Sequence, residues 1–166
     1  MDIRIATIDD LQAITEIYNQ AVAEQFCTAD LEPVTIFRMQ EWFTQHDPDK
    51  YPIFIAELDK FICGWCSLSS HRTGRKALAS VAEISFYIHT DFRKQGIGKK
   101  LIEYTLQQAP QLGFNNLFAL LLDVNTNSIE ILKKYNFVKW GHLPEIANIN
   151  GNICGQFIYG KKLTDR

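Results

Sequence analysis

The stretch from Ser85 to Leu101, SFYIHTDFRKQGIGKKL, constrains the chain more than any other. An apolar, strand-like run ends in a short polar loop, and Arg93-Lys-Gln-Gly-Ile-Gly98 then opens an amphipathic helix. Two glycines at a helix mouth let backbone approach a ligand closely. The free N–H groups of the first helical turn, helped by the helix dipole, favour an anion such as phosphate. Arg93 and Lys94 add positive charge at the same place. A Walker-type loop needs glycine where Arg93 stands and a hydroxyl residue where Lys100 stands. A dinucleotide fingerprint needs a third glycine where Leu101 stands. Neither pattern fits, which leaves Arg-x-x-Gly-x-Gly between a strand and a helix in mid-chain.

Periodicity places the other elements around it. Ile3–Ala6 reads as a first strand, and Thr7 as the cap of a helix with Asp9 and Asp10 in its first turn. Leu11, Ile14, Ile17, Tyr18 and Val22 share a face at helical spacing. A second helix spans about Val34–Gln45, with Phe37, Trp42 and Phe43 as apolar contacts. Ile53–Leu58, Phe61–Ser69 and Val81–His89 read as consecutive antiparallel strands. The helix behind the cradle runs Ile97–Leu112 with Ile97, Leu101, Tyr104, Ala109 and Leu112 inward. Phe118–Val124 is apolar enough for a strand buried on both faces beside parallel neighbours. A short helix, Asn127–Tyr135, and strands Phe137–His142 and Cys154–Lys161 complete an α/β fold. The expectation is a mixed, mostly antiparallel central sheet with helices on both faces. The basic loop His71–Lys76 interrupts it and is expected to overhang the site.

No repeat or long linker divides the 166 residues, so one domain over 1–166 is expected. A formal net charge of −2 argues against a general nucleic-acid binder. No apolar run is long enough for a membrane span, and Met1–Ile5 has no apolar signal core, so a cytoplasmic protein is expected. Cys63-Gly-Trp-Cys66 invites a redox or metal reading. On a strand, however, residues three apart face opposite ways, so these two should diverge as structural thiols. The four histidines are scattered, and no metal site is expected.

The cradle pattern resembles the pyrophosphate loop of the GNAT acyl-CoA N-acetyltransferases. Other segments follow in order: Ile14–Val22, Thr28–Pro33, Trp42-Phe43, Tyr51–Glu57, Ile62–Ser67, Glu83 with Phe86–Ile88, and Asn125–Ser128 ahead of Asn136-Phe137. Together they look like the phosphinothricin and methionine sulfoximine N-acetyltransferase branch of that superfamily, from about Ile3 to Leu163. The resemblance implies the GNAT fold, acetyl-CoA as co-substrate, a homodimer, and direct acetyl transfer to a small amino-acid-like amine in a ternary complex. Arg93, Lys94, Gln95, Gly96, Ile97, Gly98 and Lys99 would hold the pyrophosphate. The backbone of Phe86, Tyr87 and Ile88 would pair with the pantetheine arm and polarise the thioester carbonyl. Asn125 would bond the pantetheine, and Ser128 would either reach CoA or cap its helix.

Glu83 matches the family's general base, acting through water. Burial in an apolar strand would raise its pKa toward working pH. The alternative is a strand glutamate facing solvent. Relatives place Tyr or His as general acid where this chain has Leu132; Tyr135 and Tyr87 are nearby substitutes, and a thiolate of pKa about 8.5 can also take its proton from water. Arg72 and Arg75 are candidates for binding an acceptor carboxylate. Ala77–Ser80 replaces aromatics usual in the branch, which bears on substrate identity. Phe26–Asp30 and Trp140–Ile149 would form further walls. Competing readings are a non-catalytic acyl-CoA sensor and an acetyltransferase of peptide N-termini or polyamines.

Overall fold

The computed structural model describes residues 1–163; the last three residues of the domain expected over 1–166 lie outside the described residues. Strands β1 (Asp2–Ile5), β2 (Ile53–Leu58), β3 (Phe61–Ser70), β4 (Val81–Ile88), β5 (Asn116–Leu122), β6 (Val138–Ile149) and β7 (Asn152–Lys162) are joined in sequence by helices α1 (Leu11–Ala23), α2 (Ile36–Thr44), α3 (Ile97–Gln108) and α4 (Thr126–Lys134). The strands form one sheet in the order β1-β2-β3-β4-β5-β7-β6. Among these neighbours only β4 and β5 run parallel. This is the mixed, mostly antiparallel sheet expected from the sequence.

Local chemistry sets the element ends. The Asp10 carboxylate accepts from the Thr7 N–H at 2.7 Å and from both Arg4 terminal nitrogens, tying β1 to the start of α1. Thr35 caps α2 by accepting from the Arg38 N–H. The period-2 alternation of the strands then sorts side chains to two cores. Ile53, Ile55 and Trp65 pack under α1 and α2 with Ile14, Ile17 and Met39. Phe54, Ala56, Cys66, Leu68, Ala82 and Ile84 pack under α3 and α4 with Leu101, Ile129 and Leu132. Phe37 corrects the sequence reading: it is 76% exposed, and Met39 is the buried residue of α2. With only nine residues in that helix, Met39 and the half-buried Trp42 and Phe43 fill its inward face.

Cys63 and Cys66 depart from expectation too. The β2–β3 register shifts between Ala56 and Glu57, opposite Gly64 and Ile62, so Cys63 is the extra residue of a bulge. That extra residue resets the alternation, and both cysteines enter the same core as buried free thiols. A second departure concerns β6. The sequence reading ends that strand at His142, but it continues to Ile149 through irregularities at Lys139/Gly141 and Leu143/Ala147. Trp140–Ile149 therefore forms the sheet edge beyond β7 and lines neither cavity described below. Strand β5 is also less enclosed than its composition suggests, with Leu120 39% exposed between one parallel and one antiparallel neighbour.

The decisive feature for function lies at the centre. Strands β4 and β5 pair over three positions only, Val81↔Asn116, Ala82↔Leu117 and Glu83↔Phe118, and then separate. From Ile84 onward, β4 has a strand neighbour on one side alone.

Candidate active site

The gap between the separating strands is a cleft of about 500 Å³, lined by Ile84–Ile88, Ala119–Leu121, the start of α3 and the start of α4. The His89 N–H donates to the Cys63 C=O at 2.9 Å, toward β3. Peptide groups alternate in direction along a strand, so those of Phe86 and Ile88 face the gap, and that of Tyr87 faces β3. The cleft thus presents an unpaired strand edge that an extended ligand can complete. At its wider end, α3 begins with Gly96 in the left-handed region (φ 82°), a conformation costly for other residues. The first intrahelical bond is Lys100 N–H to Gly96 C=O, which leaves the N–H groups of Ile97, Gly98 and Lys99 without helical acceptors. A Cβ on Gly98 would sit 3.5 Å from Ile88, so the helix mouth closes directly onto the strand edge.

Two cradle side chains behave differently from the simple charge argument. Arg93 is ion-paired with Glu24, which caps the C-terminal end of α1, and its Nε donates to the Ile88 C=O at 3.4 Å. Burial works against ionisation of Glu24, but the hydrogen bonds from Arg93 and Cys27 and the Arg93 charge together outweigh it and hold the carboxyl below its ordinary value. Arg93 therefore braces the strand end to the end of α1, and the cations left to the cleft are Lys94 and Lys99 at the helix mouth and Lys134 at the end of α4. Gln95 lies outside the lining and turns back to the Asp91 C=O at 3.1 Å. Asn125, 4% exposed, caps α4 by accepting from the Ser128 N–H at 3.2 Å. Its Nδ2 makes no hydrogen bond among the described residues. The cap is thus Asn125, and Ser128 lines the cleft.

A second cavity, of about 350 Å³, opens on the α1/α2 side of the same strands. It is lined by Tyr18, Asp30, Arg38, Trp42, Trp65, Ser67, Ser69, Glu83, Ser85 and Tyr87 among others. Glu83, Ser85 and Tyr87 reach it because alternate residues of β4 share that face. The half-buried Glu83 makes no hydrogen bond among the described residues, and burial raises its pKa from the ordinary value. Ser67 is 1% exposed, and its Oγ is the single buried side-chain polar atom without a partner among the described residues. Tyr18 donates to Asp30 at 2.6 Å, and Arg38 clasps the same carboxylate at 3.0 and 3.3 Å. Burial first, and then Asp30, push the Tyr18 phenol up to about 12. Tyr18, Trp65 and Tyr87 pack ring against ring, with centroids 4.7–6.3 Å apart.

The structure does not bring Arg72 and Arg75 to either cavity. Both are exposed in the β3–β4 connection, whose His71 leans on Phe118 at the start of β5. Arg38 of α2 is the arginine that lines the second cavity, and sequence reasoning missed it because it falls in a helix between apolar residues. Tyr135 does not line the cleft: its hydroxyl donates to Glu103 at 2.8 Å and lies 3.3 Å from the Lys99 C=O, on the outer side of α3. Leu132, fully buried, lines the cleft in its place.

Residues 11–137 match the model of the acetyltransferase (GNAT) family. The chain is 35% identical over 165 residues to YwnH of Bacillus subtilis, provisionally named a phosphinothricin acetyltransferase, covering 99% of this chain and 100% of that one. It is 28% identical to the L-methionine sulfoximine/L-methionine sulfone acetyltransferase of Pseudomonas paraeruginosa, over 87% of this chain and 84% of that one. Among solved structures, a GNAT-superfamily phosphinothricin acetyltransferase from Sinorhizobium meliloti in complex with acetyl-CoA matches with a TM-score of 0.90. That pair is 25% identical over 97% of this chain and 87% of the other.

Proposed function

The chain belongs to the acetyltransferase (GNAT) family, and we propose that its acceptor is a small amino-acid-like amine of the phosphinothricin, methionine sulfoximine or methionine sulfone type. It is an acetyl-CoA-dependent N-acetyltransferase of the phosphinothricin-type branch. One observation carries the reading of direct transfer in a ternary complex. Ser85 and Tyr87 line both cavities, so the cleft and the pocket meet across β4 with Glu83 two residues away.

The cleft fits acetyl-CoA by the chemistry of its walls. The N–H groups of Ile97, Gly98 and Lys99, with Lys94 and Lys99 alongside, take the pyrophosphate. The Phe86 and Ile88 peptide groups and the Asn125 amide take the pantetheine arm, whose thioester brings the activated acetyl group. A gap-facing N–H of β4 stabilises charge developing on the acetyl oxygen, an effect worth about 3–4 kcal/mol in other acyl-transfer enzymes. Glu83 accepts the ammonium proton, through a water held by Ser67 and Ser85, so that the amine can attack. Arg38, which spends one hydrogen of each terminal nitrogen on Asp30, offers its remaining N–H donors to the acceptor carboxylate, and Phe26 and Asp30 narrow the entrance. The departing thiolate needs no protein acid, consistent with Leu132 and the turned-away Tyr135.

The enzyme acts as a homodimer in the cytoplasm. Exposed Val138, Trp140, Leu143 and Ile146 on β6 and Ile153 on β7 supply apolar surface for pairing, and four free cysteines suit a reducing compartment. The test is thiol release from acetyl-CoA across sulfoximine, sulfone, phosphinothricin, amino-acid, polyamine and peptide amines. Turnover of the first three above the rest is expected. Preference for polyamines or peptides overturns the substrate class, and tight acetyl-CoA binding without release from any amine favours the sensor reading.

A further inference from the structure

His46 follows the end of α2 and plays no part in the chemistry above. Its Nδ1 lies 2.9 Å from the Trp42 C=O and its Nε2 lies 3.0 Å from Ser69 Oγ. A carbonyl oxygen only accepts, so Nδ1 carries the hydrogen, Nε2 of the neutral ring accepts, and the Ser69 hydroxyl donates to it. Ser69 is in turn the direct cross-strand partner of Glu83, and both line the acceptor pocket. Opposed residues of an antiparallel pair have Cβ atoms about 4.5–5.5 Å apart on one face, within reach directly or through one water. The lone pairs of Ser69 Oγ are therefore open to a donor coming from Glu83.

We propose that Ser69 and His46 form a proton outlet for Glu83, returning it to the carboxylate after each acetyl transfer. The inference rests on the acetyltransferase reading with Glu83 as base. The acceptor ammonium loses a proton to Glu83, giving free amine and a carboxylic acid. The acid passes its proton to Ser69 Oγ while the Ser69 hydrogen moves to His46 Nε2, giving an imidazolium. The half-buried ring releases that proton to water, and the Ser69 hydroxyl turns its hydrogen back to Nε2. No atom is gained or lost around the cycle except the proton delivered to solvent.

The surroundings favour this direction. Trp42, tilted against His46 with ring centroids 4.4 Å apart, is uncharged, as is Ser69. Glu83 and Tyr87 are the titratable groups on the β4 side of this wall, and burial raises the Tyr87 phenol so that it stays neutral. Asp30 and Arg38, further along the pocket, neutralise each other in an ion pair. Asp47 and Asp49, in the turn after His46, are exposed. Burial lowers the His46 pKa and raises that of Glu83, which brings the two groups closer and suits passage of a proton between them through Ser69.

The test uses the full-length enzyme with its best acceptor, after acetyl-CoA binding and melting show each variant folded. Ser69→Ala and His46→Gln are expected to lower kcat about tenfold, less than the ~10²–10⁴-fold of a general base, and to leave KM for acetyl-CoA unchanged. Ser69→Thr, which keeps the hydroxyl, is expected to restore kcat. Added imidazole is expected to rescue His46→Ala in proportion to its free-base concentration. Wild-type kcat and pH profile in both Ser69→Ala and His46→Gln would overturn the outlet. Should Glu83→Gln itself turn over normally, the base assignment fails first and the outlet with it.

Discussion

The two cavities on either side of β4 are built from different materials. The cleft is made of backbone: a strand edge without a neighbour, a left-handed glycine and three helix N–H groups without acceptors. The acceptor pocket is made of side chains drawn from α1, the segment after it, α2, β3 and β4. Backbone sites depend on conformation and tolerate most side-chain changes, whereas the pocket changes character with single residues. That contrast explains how one cofactor site can serve many acceptors: the first is fixed by the fold, and the second by a few replaceable groups.

Removing Glu83 should break the pocket and spare the cleft. Glu83→Gln is expected to lower kcat/KM by about 10²–10⁴-fold. Acetyl-CoA affinity by calorimetry should stay unchanged; a loss of affinity there would show that the two sites are not separable. Arg38→Met should raise KM for a carboxylate-bearing acceptor roughly tenfold or more, the worth of a charged hydrogen bond, without altering acetyl-CoA affinity. Gly98→Val makes the reverse test. The Cβ itself fits, but the added methyls crowd the helix N–H groups, and acetyl-CoA should bind about tenfold more weakly while acceptor preference is kept.

Acid–base behaviour sharpens the contrast further. Burial raises the folded-state pKa of Glu83 above its ordinary 4.5. Its stabilising contribution is therefore complete below that value and is lost as pH rises through the raised one. Wild type and Glu83→Gln should melt together near pH 4.5 and separate at neutral pH, with the glutamine variant melting higher. Equal melting temperatures across that range would mean that the carboxyl is well solvated. The smallest effect on stability is expected from Ser67→Ala. Deleting a buried hydroxyl without a protein partner should be neutral or stabilise by up to about 1 kcal/mol, read by denaturant unfolding.

The same division governs what was legible in the sequence. Strand β2 fell where expected, as did the first residues of β3, β4 and α3, because period-2 alternation and paired glycines are local signals. Gly96 and Gly98 announced the helix mouth for the same reason. Arg38 was invisible because its neighbours in the pocket, Asp30, Trp65 and Glu83, are brought to it only by the folded sheet. Arg72 and Arg75 looked suitable by their chemistry and by a loop expected to overhang the site, yet the β3–β4 connection carries them to solvent. The Cys63 bulge and the extension of β6 past Pro144 were missed because irregular strand pairing leaves no periodicity to read. Arg93 shows a subtler limit: its charge was evident, but its partner Glu24 is 69 residues away in the chain.

The three-position seam between β4 and β5 also has a mechanical meaning. It joins two plates, β1–β4 and β5–β7, along a short hinge at one end, and beyond the hinge no strand hydrogen bond resists their twisting apart. A molecule bonded to both jaws acts as a removable rivet. It stabilises the folded protein with the logarithm of its own concentration, by about 2.7 kcal/mol at a hundred times its dissociation constant. The folded stability of this enzyme is therefore expected to follow the supply of its own co-substrate, higher when acetyl-CoA is plentiful and lower when it runs short.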